Sequence, residues 1–262
     1  MSNDREKEKK PRVIFVGAGP GDPELLTLKG KKALGEADMI IYAGSLVNLE
    51  LLVYAGEGAD LHDSASLTLE EIIALMEGAV CEKKRVVRLH TGDPSIYGAL
   101  DEQLYRLEAL GIDYEIVPGV SSAMAAAAAL GQELTVPEVC QTVIFTRLEG
   151  KSPVPDRERL ANLAQSQATL VIFLSLDRIE KVMKELAVGY PLETPVAVVY
   201  RASWPEERII RGSLADIAVK VRGAGLERQA LILVGEALDS RQKREALRSQ
   251  LYHGDFPHGY RP

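Results

Sequence analysis

The sequence predicts an α/β protein of two domains, the second with a mixed sheet. Three observations carry that expectation. From Arg12 onward, short apolar runs alternate with amphipathic helical stretches, the pattern of sheets whose faces are covered by helices. Three of the early strands run into Gly-rich turns that feed helices, as parallel strands do at the ligand-binding edge of an open sheet. In the second half, two strand-like runs joined by a short Pro-containing loop are too close for a helical crossover and should form an antiparallel hairpin. A chain of 262 residues fits one large or two medium domains at roughly 150 residues each.

Residues 1–11 are charged and lack an apolar run, so they read as a disordered lead rather than a signal or anchor. The first domain, 12–130, has strands expected at 13–16, 39–42, 59–62, 86–90 and 114–117. Helices are expected at 23–34, 46–54, 69–80, 97–110 and 121–130. Asp22 and Pro23 are the N-cap and first-turn residues of the first helix. Thr68 and Glu71 stand at capping-box spacing before the third. Residues 131–140 hold a glycine, a proline and no clear period, and are expected to be a linker. In the second domain, 141–238, strands are expected at 142–146, 169–174, 196–200, 208–212 and 230–234, and helices at 156–164, 177–188 and 214–221. Residues 239–262 read as a charged terminal helix at 241–251 and a tail.

With 46% hydrophobic and 26% charged residues, the composition is that of an ordinary globular protein. A net charge of −7 without a basic stripe argues against a nucleic-acid partner. The Ala-rich stretch 120–130 is far shorter than the roughly 20 residues that span a bilayer, so no membrane role and a cytoplasmic location are expected. Cys81 and Cys140 have no metal-ligand spacing. They are expected to be buried free thiols, with no protein-bound metal.

The chemistry is expected at the three turns. The first, Gly17-Ala18-Gly19-Pro20-Gly21-Asp22-Pro23, lacks a dinucleotide fingerprint, because the third glycine position is Asp22. Thr91-Gly92-Asp93-Pro94-Ser95-Ile96-Tyr97-Gly98 and Pro118-Gly119-Val120-Ser121-Ser122-Ala123 are the other two. All three are expected to converge on one sheet edge.

The segments GAGPGDPELLTLKG, TGDPSIYG, VPGVSSAMAAAA and ALILVGE together resemble the tetrapyrrole methylases, which use S-adenosylmethionine on precorrins and uroporphyrinogen; the resemblance spans residues 12–237. Within that family, Tyr42-Ala43-Gly44-Ser45-Leu46-Val47 and His62-Asp63-Ser64-Ala65-Ser66 resemble the precorrin-4 methyltransferases that act at carbon 11. The uroporphyrinogen enzymes usually carry an arginine after the second turn, where this chain has Ala99. The resemblance implies the tetrapyrrole methylase fold with a ligand trough between the domains, and S-adenosylmethionine as co-substrate. It also implies precorrin-4 or cobalt-precorrin-4 as the methylated partner in cobalamin biosynthesis, and a homodimer. Pro20, Thr91, Gly92, Asp93, Ser121, Ser122, Leu174 and Ala230 match cofactor-contacting positions, with Leu174 standing where relatives often have Met.

Loops after the second and third strands should border the trough. Tyr42, His62 and Asp63 are therefore candidates for a base or for shaping residues, and Ser45 for substrate contact. Arg88, Arg147 and Arg201 are candidates to meet substrate carboxylates, because guanidinium pairs with them bidentately; Arg208 is a further one. Asp93 has a second reading, as the cap of the Pro94 turn. His90 reads as a core histidine ending its strand. Another precorrin methyltransferase, a nucleotide-dependent oxidoreductase and a non-catalytic tetrapyrrole-binding protein remain the alternatives.

Overall fold

The computed structural model describes residues 12–44 and 46–239. The lead, Ser45, the expected helix at 241–251 and the tail lie outside the described residues. The chain forms two compact units, one through Ser122 and one from Ala123 on, so the helix expected at 121–130 belongs largely to the second.

The first unit is a five-stranded parallel sheet: β1 (Val13–Gly17), β2 (Met39–Tyr42), β3 (Asp60–Asp63), β4 (Val86–His90) and β5 (Tyr114–Val117), in the order β3-β2-β4-β1-β5. Its helices are α1 (Leu28–Gly35), α2 (Leu69–Cys81) and α3 (Leu100–Ala109). Strands covered on both faces need apolar side chains on both, which explains the apolar runs of β1 and β2 and the apolar residues of β4, a run that Arg88 and His90 interrupt. Val16, Leu34, Ile40, Leu51 and Leu89 fill one face, and Phe15, Ile41, Met76 and Leu107 the other.

Three expected helices differ. The stretch 23–34 is a 3₁₀ turn, Pro23–Leu25, followed by α1. Asp22 caps the turn by accepting from Glu24 N–H (2.8 Å), and Thr27 then caps α1 by accepting from Gly30 N–H (3.1 Å). Two caps in one stretch divide it, because a cap residue takes extended backbone angles. Leu49–Tyr54 is a 3₁₀ helix begun by Asn48, whose side chain accepts from Glu50 N–H (3.0 Å). α3 starts three residues late because Tyr97 (φ +53°) and Ala99 (φ +47°) are left-handed. The Thr68–Glu71 capping box of α2 is formed reciprocally, at 3.3 and 2.7 Å.

The second unit contains α4 (Ser122–Leu130), which begins at the boundary, and β6 (Val143–Arg147), α5 (Leu160–Leu163), β7 (Thr169–Phe173), α6 (Ile179–Leu186), β8 (Pro195–Tyr200), β9 (Arg208–Ser213), α7 (Ile217–Gly223) and β10 (Ala230–Val234). Its sheet runs β6-β7-β10-β8-β9. β6 and β7 are parallel; the other pairings, including the expected β8–β9 hairpin, are antiparallel. Leu170, Ile172, Val182, Leu186, Val198 and Ile232 form its core. The expected helices at 156–164 and 177–188 are shorter: α5 lies between two 3₁₀ turns, and α6 follows one, Leu176–Arg178.

Burial of both thiols is corrected. Cys81, the last residue of α2, is exposed; Cys140 is half-buried, its sulfur accepting from Thr169 N–H (3.1 Å) and donating to Thr142 C=O (3.1 Å). Among the described residues no helix is long and apolar enough to cross a membrane, and no cluster of His, Cys, Asp or Glu has metal-holding geometry.

Candidate active site

The carboxyl ends of β4, β1 and β5 lie side by side, so the three turns that follow them meet. Ala18 N–H donates to His90 C=O (2.7 Å), and Gly19 and Gly92 exchange hydrogen bonds in both directions (3.2 and 2.8 Å). The contact is backbone against backbone. A Cβ on Gly17 would lie 2.5 Å from Gly119 N and 2.7 Å from Gly92 O; one on Gly119 would run into Gly92 O and lie 2.8 Å from Gly17 Cα. Only glycine permits that approach. Gly92 (φ +61°) is less tightly packed: a Cβ there would be in ordinary van der Waals contact, 3.8 Å from Ser121 Cα and Ser122 N.

Asp93 clips two of the turns together. One carboxylate oxygen accepts from Ser95 N–H (2.9 Å) and from the Ser95 hydroxyl, and the other from Gly119 N–H (2.9 Å). Partial burial pushes its pKa up, but the Ser95 hydroxyl and the Gly119 and Ser95 amides outweigh that and leave it below the ordinary carboxylate value. Thr91 reaches sideways, its hydroxyl donating to Leu46 C=O (3.4 Å). Pro20, Thr91, Gly92, Asp93, Ser121 and Ser122 therefore share one edge of the first sheet.

The second unit gathers its own set. Arg147 ends β6 level with Phe173, Leu174 follows β7, Arg201 follows β8, and Ala230 opens β10 level with Tyr200. All four stand at one edge of that sheet. Leu174 (φ +50°), Arg201 (φ +45°), Ser203 (φ +70°) and Gln229 (φ +56°) are left-handed there, a concentration of backbone strain of the kind that collects at ligand sites. Leu174 is 64% exposed. Arg201 is held by Gln229 Oε1 (2.7 Å) and Glu206 (3.4 Å) and lies over the rings of Tyr200 and Trp204. Arg147 donates to Ser152 C=O and Pro153 C=O, both at 3.2 Å.

A family model for the tetrapyrrole (corrin/porphyrin) methylases matches residues 12–218. The chain belongs to the tetrapyrrole methylases. A cobalt-precorrin-4 C(11)-methyltransferase from Methanocaldococcus jannaschii is 58% identical over 95% of this chain and 96% of its own. A solved cobalt-precorrin-4 methyltransferase, described as a cobalamin biosynthetic enzyme, superposes with a TM-score of 0.85 at 48% identity, covering 87% of this chain and 96% of that one. A uroporphyrin-III C-methyltransferase from Thermus thermophilus, complexed with S-adenyl homocysteine, gives 0.74 at 32%, covering 87% and 99%. Membership of this family leaves the oxidoreductase alternative without support.

In this methylase the loops after β2 and β3 are tied together. Asp63 Oδ1 accepts from Gly44 N–H (3.0 Å) and Ala65 N–H (2.9 Å), and a Cβ on Gly44 would collide with that carboxylate. Tyr42 and His62 are half-buried on neighbouring strands. Ser45 lies outside the described residues. Arg88 differs from its expected role: it is 6% exposed and bonded to Gln103, Ser64 and Ile41 C=O inside the first unit. Burial lowers its pKa to about 10. It sits on the strand's inner face, and the alternation of β4 alone does not say which face a helix will seal. His90 is a core histidine, as expected; burial, then the Arg88 charge, hold its pKa at about 4, and its Nε2 has no hydrogen-bond partner among the described residues. Gln229 and Ser203 carried no signal in the sequence, because left-handed backbone at non-glycine residues leaves no compositional trace; Trp204, whose ring lies under Arg201, was also missed.

Proposed function

We propose that this methylase transfers a methyl group from S-adenosylmethionine to carbon 11 of precorrin-4 or cobalt-precorrin-4. The observation that carries this reading is the 58% identity, along nearly the full length of both chains, to a relative named for that reaction. The first unit's edge suits the co-substrate: three Gly-rich turns are fused there backbone against backbone, with Gly92 next to the main chain of Ser121 and Ser122.

S-adenosylmethionine, when bound, supplies a sulfonium methyl that is electrophilic without further activation. The protein's task is then alignment and exclusion of water. Gly17, Gly92 and Gly119 set the cradle, Asp93 keeps its two walls in register, and Leu174 and Ala230 offer apolar surface to adenine. Asp63, already holding two amides, shapes the loops after β2 and β3. His62 and Tyr42 are the candidates to take the proton lost from the methylated ring. Arg147 and Arg201 meet ring carboxylates. The enzyme works in the cytoplasm as a homodimer, a reading supported by its free thiols and by Leu28, Leu49 and Val53, which expose apolar surface on α1 and the 3₁₀ helix beside it.

The test is to incubate the purified protein with labelled S-adenosylmethionine and either metal-free or cobalt-loaded precorrin-4. One methyl at carbon 11, located by carbon NMR, is expected. Transfer to neither substrate, or to another carbon, overturns the reading.

A further inference from the structure

Arg88 stands in the middle of the sheet with its guanidinium turned away from solvent. Its Nε donates to Gln103 Oε1 (3.3 Å), and its Nη1 donates to Ser64 Oγ (3.0 Å) and Ile41 C=O (3.3 Å). Each contact is passed on. Ser64 Oγ donates to Tyr42 C=O (3.0 Å), which also accepts Ser64 N–H (2.8 Å), and Gln103 Nε2 donates to Ala99 C=O (2.9 Å). One side chain thus reaches the start of the 42–47 loop, the start of the 63–66 loop and the end of the 91–99 turn.

These acceptors are neutral, so they stabilise the guanidinium by hydrogen bonding without cancelling its charge. Burying a cation is costly, and an apolar residue of similar volume often serves a core as well or better. What arginine adds is a planar fork whose donors diverge at fixed angles, which an apolar chain or a lysine ammonium does not reproduce. The two loops it reaches are also those joined by Asp63 through Gly44 and Ala65, and Thr91 of the turn bonds to Leu46 of the first. Arg88 lies beneath these surface contacts as a common post.

We propose that Arg88 is a positioning residue for tetrapyrrole recognition: through Ser64 and Gln103 it fixes the loops after β2 and β3 against the turn after β4, and it does not touch the substrate. The proposal rests on the precorrin-4 reading for its choice of substrate. The coupling it describes is a property of the folded chain alone.

Ser64→Ala, Arg88→Lys and the double variant test it, with three readouts: KM and kcat for the tetrapyrrole, S-adenosylhomocysteine affinity by calorimetry, and amide hydrogen exchange at Gly44 and Ala65. Each single variant is expected to raise KM about tenfold, to speed exchange at both amides by a similar factor, and to leave the S-adenosylhomocysteine Kd within about threefold. The double variant should exceed Arg88→Lys by no more than about twofold, because both changes cut the same link. An unchanged KM and unchanged exchange in Ser64→Ala overturn the proposal. Effects that multiply in the double variant also overturn it, as does a KM that rises only in step with the cofactor Kd. Where Arg88→Lys fails to fold, Ser64→Ala, which removes one hydroxyl, decides through the same readouts. If the wild-type enzyme methylates no precorrin-4, the substrate reading has failed, and the exchange rates in Ser64→Ala still decide the coupling.

Discussion

Replacing Gly119 by alanine adds a single methyl where three turns are packed main chain against main chain. That carbon would lie 2.8 Å from Gly17 Cα and 2.9 Å from Gly17 C and would run into Gly92 O, all main-chain atoms. No flexible side chain can step aside, so the turns must separate by about 1 Å, set by the Gly92 O contact, to restore ordinary contact, an overpacking that costs about 1–3 kcal/mol. The longer Gly19–Gly92 hydrogen bond, already 3.2 Å, would be lost, and the Asp93–Gly119 bond would be strained. One net hydrogen bond adds about 1 kcal/mol. The whole change is about 3 kcal/mol, a fall of roughly 6–12 °C in Tm for units of this size. Gly92→Ala is the control: its Cβ meets nothing nearer than 3.8 Å, so only the positive φ is penalised, by about 1–2 kcal/mol. Thermal melts with and without S-adenosylhomocysteine read both terms. Gly119→Ala should lose more stability than Gly92→Ala, and its ligand-induced shift should nearly vanish. A Gly119→Ala melt and ligand shift equal to wild type would refute the reasoning.

Further tests follow from other residues. His90 is neutral in the fold, with a pKa of about 4 against 6.5 for an unhindered histidine. The unfolded chain therefore binds a proton first as pH falls. The stability tied to this group is complete above about pH 6.5 and erodes by about 3 kcal/mol in total on the way down to pH 4; urea melts across that window should show the slope, and His90→Gln should flatten it. Asp63→Ala should lower single-turnover methyl transfer about tenfold, near 1.4 kcal/mol, with S-adenosylhomocysteine affinity nearly unchanged; equal loss of both would remove the division between substrate loops and cofactor turns. Light scattering at micromolar concentration should give twice the chain mass, and Leu49→Glu with Val53→Glu should give a monomer; a monomeric wild-type protein would refute the dimer.

Strands were legible as apolar runs, ended by a Gly-rich turn at β4 and β5 and by a single nearby glycine at β2 and β10. Helices were less so. A 3.6-residue pattern continues through Leu26 and Thr27, yet the Thr27 hydroxyl competes for the Gly30 amide and restarts the helix there. Tyr97 and Ala99 look helical by composition, but the tight return of their turn forces both left-handed. The turns on the first unit's edge could be read because closely packed backbone requires glycine. Arg88 could not, since a charged residue in an otherwise apolar strand reads as surface or site until its neighbours are known. Gln103 and Ser64, which receive it, come from elements 15 and 24 residues away.

The position of β1 also governs when the site can exist. β1 is made first, but its carboxyl end is flanked by β4 and β5, and Gly119 follows the last strand of the sheet. The cradle is therefore closed by the final piece of the first unit to leave the ribosome. A nascent or truncated chain that stops before Gly119 has the first two turns but lacks the third, so ligand capture reports a finished sheet. Because ligand bound only to the folded form adds stability by mass action, a co-substrate held at these turns, as proposed above, would reward completion of this unit and leave its partly built precursors unsupported.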